Sequence, residues 1–482
     1  MEIVRIPQLS YDRFAPIIGR TGARRLRHTV EDARDILDGR IAWHVNSTKT
    51  GGGVAEMLQT LLGYERGAGI DARWLVIDGD HDFFTITKRI HHNLHGREGD
   101  GLGFSDRDRD HYVAVMRRNS REILRVVRPN DVVVLHDPQT AGLVDGLKRR
   151  GAVVVWRCHV GCEHVNKSVH DVWRFLQPHL ERADAYVFSR PGYVPEWLRT
   201  APTFIMPPAI DAFSSKNEPM TRGTVRAILR HIGLLEKGRF RGNGDLSFVR
   251  TDGTPGHVTR TAQIYQLAPI DDWRTSLVTQ VSRWDPLKDM RGVMEGFVHR
   301  LNRLGDAHLA LVGPDVSGVT DDPEGATVFE ECLAQWRALP RAARERVHLV
   351  SLPMDDVEEN AVMVNAIQRH SSVIVQKSLE EGFGLTVTEA MWKGRAVIAS
   401  AVGGIQDQIV NAVHGLLLPD PTDLNALGDA LERLHGDRAL VRRLGRNARR
   451  RAVANFLGPR QLTQLVDLIY SVEGRARATR AA

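Results

Sequence analysis

The chain has 482 residues, 65 of them Lys or Arg and 59 Asp or Glu, leaving a formal charge of +6, and 42% of its residues are hydrophobic. That is an ordinary globular composition, long enough for two or three domains that bury their cores without disulfides or structural metal, so small stapled scaffolds are excluded. No apolar run approaches the roughly 20 residues of a membrane helix, and the N-terminus lacks a basic start followed by an apolar stretch. Neither export nor membrane insertion is expected. Of the three cysteines only Cys158 and Cys162 are close, which points to a reducing compartment and a cytoplasmic protein. The pI near 9.3 comes from a charge spread too thinly for a polyanion binder, so nucleic acid is not an expected partner. The one dense basic run, 438–451, alternates Arg with Leu440, Val441, Leu444, Ala448 and Ala452 and reads as the wet face of an amphipathic helix.

In chain order, short β-branched runs at 41–45, 72–77, 132–135, 152–156 and 185–188 alternate with helical stretches. A second set follows at 276–281, 308–312, 348–352, 373–376 and 396–400. Continuous apolar strands separated by helices predict parallel sheets covered on both faces, hence an α/β protein with two doubly wound, Rossmann-like domains facing across a cleft. Pro207-Pro208 and the patternless stretch after it set the boundary. The expected organisation is a first domain at 1–210, a linker at 211–271, a second domain at 272–440 and C-terminal helices at 441–482 that return to the first domain and end in a frayed tail. Within the linker, 246–250, the turn TDGTPG at 251–256 and 257–266 read as an inserted β-hairpin.

Three segments carry candidate chemistry. In IAWHVNSTKTGGGVAE (41–56) a strand ends in a polar turn and three glycines, Gly51, Gly52 and Gly53, open a helix, an element that offers backbone N–H groups to an anion. The spacing is neither a dinucleotide fingerprint nor a P-loop, and a tight turn needing glycine remains the alternative. In VTQVSRWDPLKD (278–289) a strand runs out into Arg283 and Lys288, two cations where open α/β sheets bind ligands. Together they can hold a diphosphate and stabilise it as it leaves, unless they merely face solvent. In KSLEEGFGLTVTEAMWKG (377–394) a glycine-bearing loop leads into a helix starting near Leu385 or Thr386. The N–H groups of Leu385 and Thr386 suit phosphate, Glu381 a sugar hydroxyl and Glu389 a ribose diol.

These segments resemble the retaining GT-B glycosyltransferases of family 4, over both domains. WHVNSTKTGGGVAEML, LHDPQTAGL, WRCHVG, MPPAID, DDPEG and QKSLEEGFGLTVTEAMWKG further resemble the branch of trehalose synthases and the related trehalose phosphorylases. The resemblance implies a retaining hexosyltransferase that forms α,α-trehalose reversibly from a nucleoside diphosphate glucose and glucose. It makes Gly52, Gly53, Arg283, Lys288, Glu381, Gly382, Phe383, Gly384, Leu385, Thr386 and Glu389 donor-binding, and Asn46, Asp137 and His159 acceptor-side. His159, Arg283, Lys288 and Glu381 are then the catalytic set. His159 is implied to lie beside the C6 hydroxyl of the donor sugar, with a buried structural histidine as the alternative. Asp137 could equally be a helix N-cap.

No tightly bound cofactor and no protein-held metal are expected. Cys158, His159, Cys162 and His164 lack the spacing of a zinc site. Asp78 and Asp80 read as loop residues, leaving magnesium only as a companion of the nucleotide in solution. The nucleotide base and the role of the long 237–271 insertion stay open. So does the oligomeric state, for which relatives allow a homodimer. Phosphorolysis of trehalose, transfer to another acceptor, and a nonenzymatic sugar sensor with the 438–451 helix as output are the competing functions.

Overall fold

The protein is described by a computed structural model covering residues 1–49, 53–236, 244–316 and 323–474. Gly51, Gly52, part of the 237–271 insertion, part of the DDPEG segment and the expected frayed tail lie outside these residues. Contacts divide the chain into two units, Met1–Ile210 with Phe456–Ala482 and Asp211–Asn455.

The first unit is built on seven strands: β1 (Glu2–Val4), β2 (Ala42–Asn46), β3 (Ala72–Val76), β4 (Val132–His136), β5 (Val153–Cys158), β6 (Ala185–Phe188) and β7 (Thr203–Ile205). Their order is β1-β3-β2-β4-β5-β6-β7, parallel throughout except for β1, which runs antiparallel against β3. The central strands are buried along their whole length, as a sheet covered on both faces requires. Trp43, Leu135, Trp156 and Phe188 fill one side of it together with Phe83, Tyr112 and Phe175 from the helices.

The second unit contains a small hairpin, β8 (Ser247–Val249) with β9 (Pro255–His257), and a second seven-stranded sheet. Its strands are β10 (Gln263–Tyr265), β11 (Leu277–Val281), β12 (His308–Pro314), β13 (Val347–Leu352), β14 (Val373–Gln376), β15 (Ala396–Ser400) and β16 (Leu416–Leu418), in the order β10-β13-β12-β11-β14-β15-β16. Only β10 is antiparallel. Alternation along β12 sends Leu309 and Leu311 into one core cluster and Ala310 and Val312 into another, so the two faces of this sheet pack separately.

The ten expected parallel strands are all present, with ends shifted by a residue or two. Four expectations change. The stretch 257–266 is not one hairpin strand: Pro255–His257 closes the hairpin, whereas β10 leaves it to cap the edge of the sheet beside β13. The short edge strands β1, β7 and β16 were not expected, because three residues are too few to show a period. The linker 211–271 is part of the second unit, since Val225, Ile228 and Leu229 of the helix Arg222–His231 join the cluster beneath β12 and β13, and Asn365 donates to the Ser215 carbonyl at 3.0 Å. The return to the first unit comes at 456, not 441. The helix Arg438–Asn455 stays with the second unit because Gly445 presses on the Gly394 carbonyl, where a Cβ would fall 2.1 Å from the oxygen. Its Arg451 also donates to the carbonyls of Gln408 and Asp407. Of the C-terminal helices among the described residues, Gly458–Val472 is the one that packs on Ala15–Ile36, with Tyr470 donating to the Asp32 carbonyl. Arg442, Arg443, Arg446, Arg449 and Arg450 are exposed, whereas Leu440, Leu444, Ala448 and Ala452 are buried.

Candidate active site

Each sheet has the same winding. Its first long parallel strand, β2 or β11, lies in the middle, with the next strand on one side and a later strand, β4 or β14, on the other. At such a reversal point the connecting loops part, and the carboxyl ends of the strands open a crevice for a ligand. The candidate residues cluster at these two places, and each unit is described by itself.

In the second unit, β11 ends at Val281 and a turn follows in which Asp285 accepts from the Leu287 N–H. Lys288 closes this turn, and its Nζ lies 2.7 Å from Oε2 of Glu381, in the loop after β14. Ser378 donates to the same oxygen at 3.2 Å. Gln280 ties the two loops together, donating to the Lys288 carbonyl at 2.6 Å and accepting from the Lys377 N–H at 2.9 Å. Beneath them the buried Lys377 ammonium pairs with Asp289, which takes a left-handed backbone at φ 44°. Arg283 stands apart: 69% of its side chain is exposed, and it pairs with Asp285 at 3.2 Å.

The glycine loop is held from below. Gln408 donates to the carbonyls of Phe383 and Gly384 and accepts from Thr388. Gly404 lies so close that a Cβ would meet the Phe383 Cα at 2.8 Å, and its N–H donates to the Gly382 carbonyl. Phe383 is itself buried, so only its backbone lines the loop. Gly384 enters the helix Leu385–Trp392 at φ 83°, a left-handed conformation suited to glycine, and no side chain caps the helix. The N–H groups of Leu385 and Thr386 precede the first intrahelical bond and suit an anion. Glu389, one turn further, is buried, with its carboxylate 3.7 Å from the Lys216 ammonium. Burial pushes the neighbouring Lys393 down to about 7, against the opposing pull of Glu389.

In the first unit Gly53 opens the helix Gly53–Gly67; Gly52 falls outside the described residues. Asn46 ends β2 buried, its amide donating to the Thr48 carbonyl at 2.7 Å and its oxygen accepting from Trp74 at 2.7 Å. Those bonds occupy it structurally. Asp137 follows β4 with φ 62°. Its carboxylate does not cap the short helix after it but accepts from the His159 N–H at 2.8 Å, and burial pushes its pKa up to about 6. It thereby fixes the loop that carries His159 after β5. Asp80 caps the helix His81–Leu94 and bonds His111. Cys158 and Cys162 donate to the carbonyls of Val160 and His164, and no group of three or more His, Cys, Asp or Glu side chains among the described residues is placed to hold a metal.

Sequence reasoning missed what stands behind His159. Its Nε2 lies 3.0 Å from His136 Nδ1, and His136 Nε2 lies 3.1 Å from His44 Nδ1. His44 Nε2 in turn faces Glu65 Oε2 at 3.6 Å, an electrostatic contact longer than a hydrogen bond. The rings stack in series at centroid distances of 5.3 Å. Burial, with a smaller push from the Arg157 guanidinium, lowers His44 to about 3; burial also holds His136 and His159 well below the ordinary imidazole range. Glu65, 0% exposed, is pushed by burial up to about 8 although Arg157 opposes the shift.

Near neutral pH this row is therefore three neutral imidazoles and an un-ionised carboxyl. Each ring has one N–H to give, so the tautomers are linked. At 3.6 Å Glu65 acts on the row through its charge: with the carboxyl un-ionised nothing among the described residues draws a hydrogen to His44 Nε2, all three rings carry theirs on Nδ1, and Nδ1 of His159 is left as a donor. When Glu65 is ionised the order reverses and the same nitrogen becomes an acceptor. The overlooked signal was a histidine in a largely apolar, fully buried strand: His44 within AWHVN and His136 at the end of VVVLH.

Comparison with known proteins agrees with this division. Residues 44–195 match the family described as trehalose synthase, N-terminal domain, and 357–451 match glycosyl transferases group 1. The chain is 34% identical to a trehalose synthase of Pyrococcus horikoshii, covering 92% of this chain and 93% of that one. It is 31% identical to a trehalose synthase of Rubrobacter xylanophilus over 94% of this chain and 95% of that one. A trehalose phosphorylase of Pleurotus sajor-caju is 27% identical, over 86% of this chain but 55% of its own length. Among solved structures, a sucrose-phosphate synthase from Thermosynechococcus elongatus superposes with TM-score 0.58 at 18% identity, covering 90% of this chain and 99% of that one. An α,α-trehalose-phosphate synthase from Burkholderia xenovorans superposes at 0.62 with 12% identity, covering 89% and 100%. With two doubly wound α/β units and relatives matched over nearly their full length, the chain belongs to the trehalose synthase family of GT-B glycosyltransferases.

Proposed function

We propose that the protein transfers glucose from a nucleoside diphosphate glucose to free glucose, giving α,α-trehalose reversibly and with retention. The observation that carries this reading is the Lys288–Glu381 pair at the reversal point of the second sheet, beside a glycine loop and an uncapped helix start. An ammonium held by a carboxylate can exchange that partner for a diphosphate, and charge on the leaving group grows as the glycosidic bond breaks. Arg283, which is exposed, and the N–H groups of Leu385 and Thr386 add further donors. Glu381, released by Lys288, takes a hydroxyl of the donor sugar. Glu389 is assigned to the ribose. On the acceptor side His159 offers its Nδ1–H to a sugar hydroxyl while Asp137 holds its backbone. Magnesium enters only as the nucleotide's companion, and the reaction belongs to the cytoplasm.

A covalent route would require a free carboxylate beside the reacting carbon. In this reading Glu381, once released, is committed to a hydroxyl of the donor sugar and Glu389 to the ribose, and Asp137 accepts from the His159 N–H. Reaction on one face, with the departing phosphate oxygen taking the acceptor's proton, needs no such group. A matrix of nucleoside diphosphate glucoses against sugar acceptors, read by nucleotide release and product identity, tests the reading. It fails if no donor is consumed with glucose, if the linkage is inverted, or if a glucosylated Glu or Asp is found by mass spectrometry after a quench. Phosphorolysis is the neighbouring alternative. It has no use for a ribose ligand, so Glu389→Gln weakens the donor Michaelis constant under our reading and leaves phosphorolysis unchanged under the other.

A further inference from the structure

A second cavity in the Asp211–Asn455 unit opens at the opposite, amino-terminal end of the same sheet. Thr275 stands two residues before β11, Ser372 immediately before β14 and Arg395 immediately before β15, and all three line it. Its volume is about 450 Å3, within the range of small-molecule sites. Five arginines line it, Arg222, Arg226, Arg274, Arg369 and Arg395, and none of its lining residues is acidic.

Two of the five are built into the fold by carbonyl oxygens. Arg369 donates to the Asn217 and Glu218 carbonyls at 2.8 and 2.7 Å, and Arg395 to the Ser371 carbonyl at 3.1 Å. Such bonds orient the forks without cancelling their charge. Arg222 and Arg226 sit four residues apart on one helix, and the Arg226 guanidinium lies over the Trp273 ring at 3.4 Å. Among carboxylates, Asp272 acts on Arg226 and Glu218 on Arg369 through their charge. Burial comes first in pushing Arg369 down to about 10 and His370 to about 4, and the neighbouring arginines add to both shifts. The buried Nε2 of His370 has no hydrogen-bond partner among the described residues.

Like charges gathered around one cavity repel unless an anion enters it. Planar forks match phosphoryl oxygens in pairs, and several forks around one ligand suit a dianion better than a single carboxylate. The cavity is larger than a bare phosphate needs, and Met220, Val225 and Trp273 give it an apolar wall for the remainder of the molecule. We propose that this cavity binds a small phosphorylated metabolite of sugar-phosphate size, at a site separate from the donor-binding loops at the other end of the sheet.

The test is calorimetric titration of the full chain with glucose 6-phosphate and with inorganic pyrophosphate. Saturable binding of at least one probe is expected, weakening with salt. In Arg222→Ala/Arg274→Ala, whose side chains are exposed, affinity falls by about 10- to 100-fold, the size of one or two lost charge-assisted bonds. Thr275→Glu, which keeps every arginine and adds a carboxylate, weakens binding as well. Lys288→Ala and His159→Ala leave this binding in place. Absence of saturable binding by both probes overturns the proposal, as does loss in Lys288→Ala with retention in the arginine variant. A changed sedimentation coefficient in the arginine variant also overturns it, by assigning these side chains to a protein interface.

Discussion

At the reversal point of the first sheet, burial keeps three imidazoles and the Glu65 carboxyl uncharged, in a row of ring nitrogens about 3 Å apart. At that of the second sheet, Lys288 and Glu381 pair at 2.7 Å with about 15% of each side chain open to solvent. The difference is one of dielectric. A charge in the dry interior of the first unit costs so much that the groups there titrate to neutrality and are left with direction as their usable property. In the second unit water screens the pair enough for an ammonium to change partners, so charge itself is available.

The largest effect is expected where that exchangeable charge is removed. Lys288→Ala lowers kcat by about 10²–10³-fold, the magnitude of a lost preorganised donor. A change confined to KM would instead show uniform binding. Breaking the neutral row in its middle comes next. His136→Leu leaves His159 without the partner that sets its tautomer, and kcat drops about 10–100-fold, as when an orienting partner of a functional imidazole is lost. An unchanged kcat would detach the row from the reaction.

Glu65→Gln sharpens the comparison further. A glutamine amide is uncharged at every pH, as the un-ionised carboxyl is, so activity near neutrality is preserved. The wild type loses activity as Glu65 ionises above about 8, and the variant does not. Stability changes too. The folded pKa of Glu65 is raised, so its contribution is complete below 4.5 and is lost as pH rises through 8. The variant removes this slope of about 1.4 kcal/mol per pH unit in urea unfolding between those limits. His44 works in the opposite sense: its stabilising neutral form is present above 6.5 and is lost as pH falls toward 3. The smallest effect lies outside both sites. Arg442→Glu/Arg446→Glu, on the exposed face of Arg438–Asn455, shifts unfolding free energy by no more than about 0.5 kcal/mol per substitution. A larger shift would mean that this face is engaged.

Much of this was legible in one dimension because apolar runs in a doubly wound sheet are continuous and the turns after them are chemically distinct. The ten parallel strands, the helix starting at Leu385 and the placing of Lys288 and Glu381 beyond strand ends all follow from local pattern. Asn46 shows the limit. Its position on the rim could be read, and its bond to the Thr48 carbonyl is local, but Trp74, which occupies its amide oxygen, is 28 residues away in sequence and is brought to it by sheet register.

The sequence by itself determined which residues stand at the carboxyl ends of the strands, since strand, turn and helix are set by contacts within a few positions. Only the tertiary structure decided which of them touch. Glu65, His44, His136 and His159 come from four segments, and Lys288 and Glu381 are separated by 93 positions. The order of strands in a sheet fixes such pairings through burial and register, quantities that belong to no single stretch of chain.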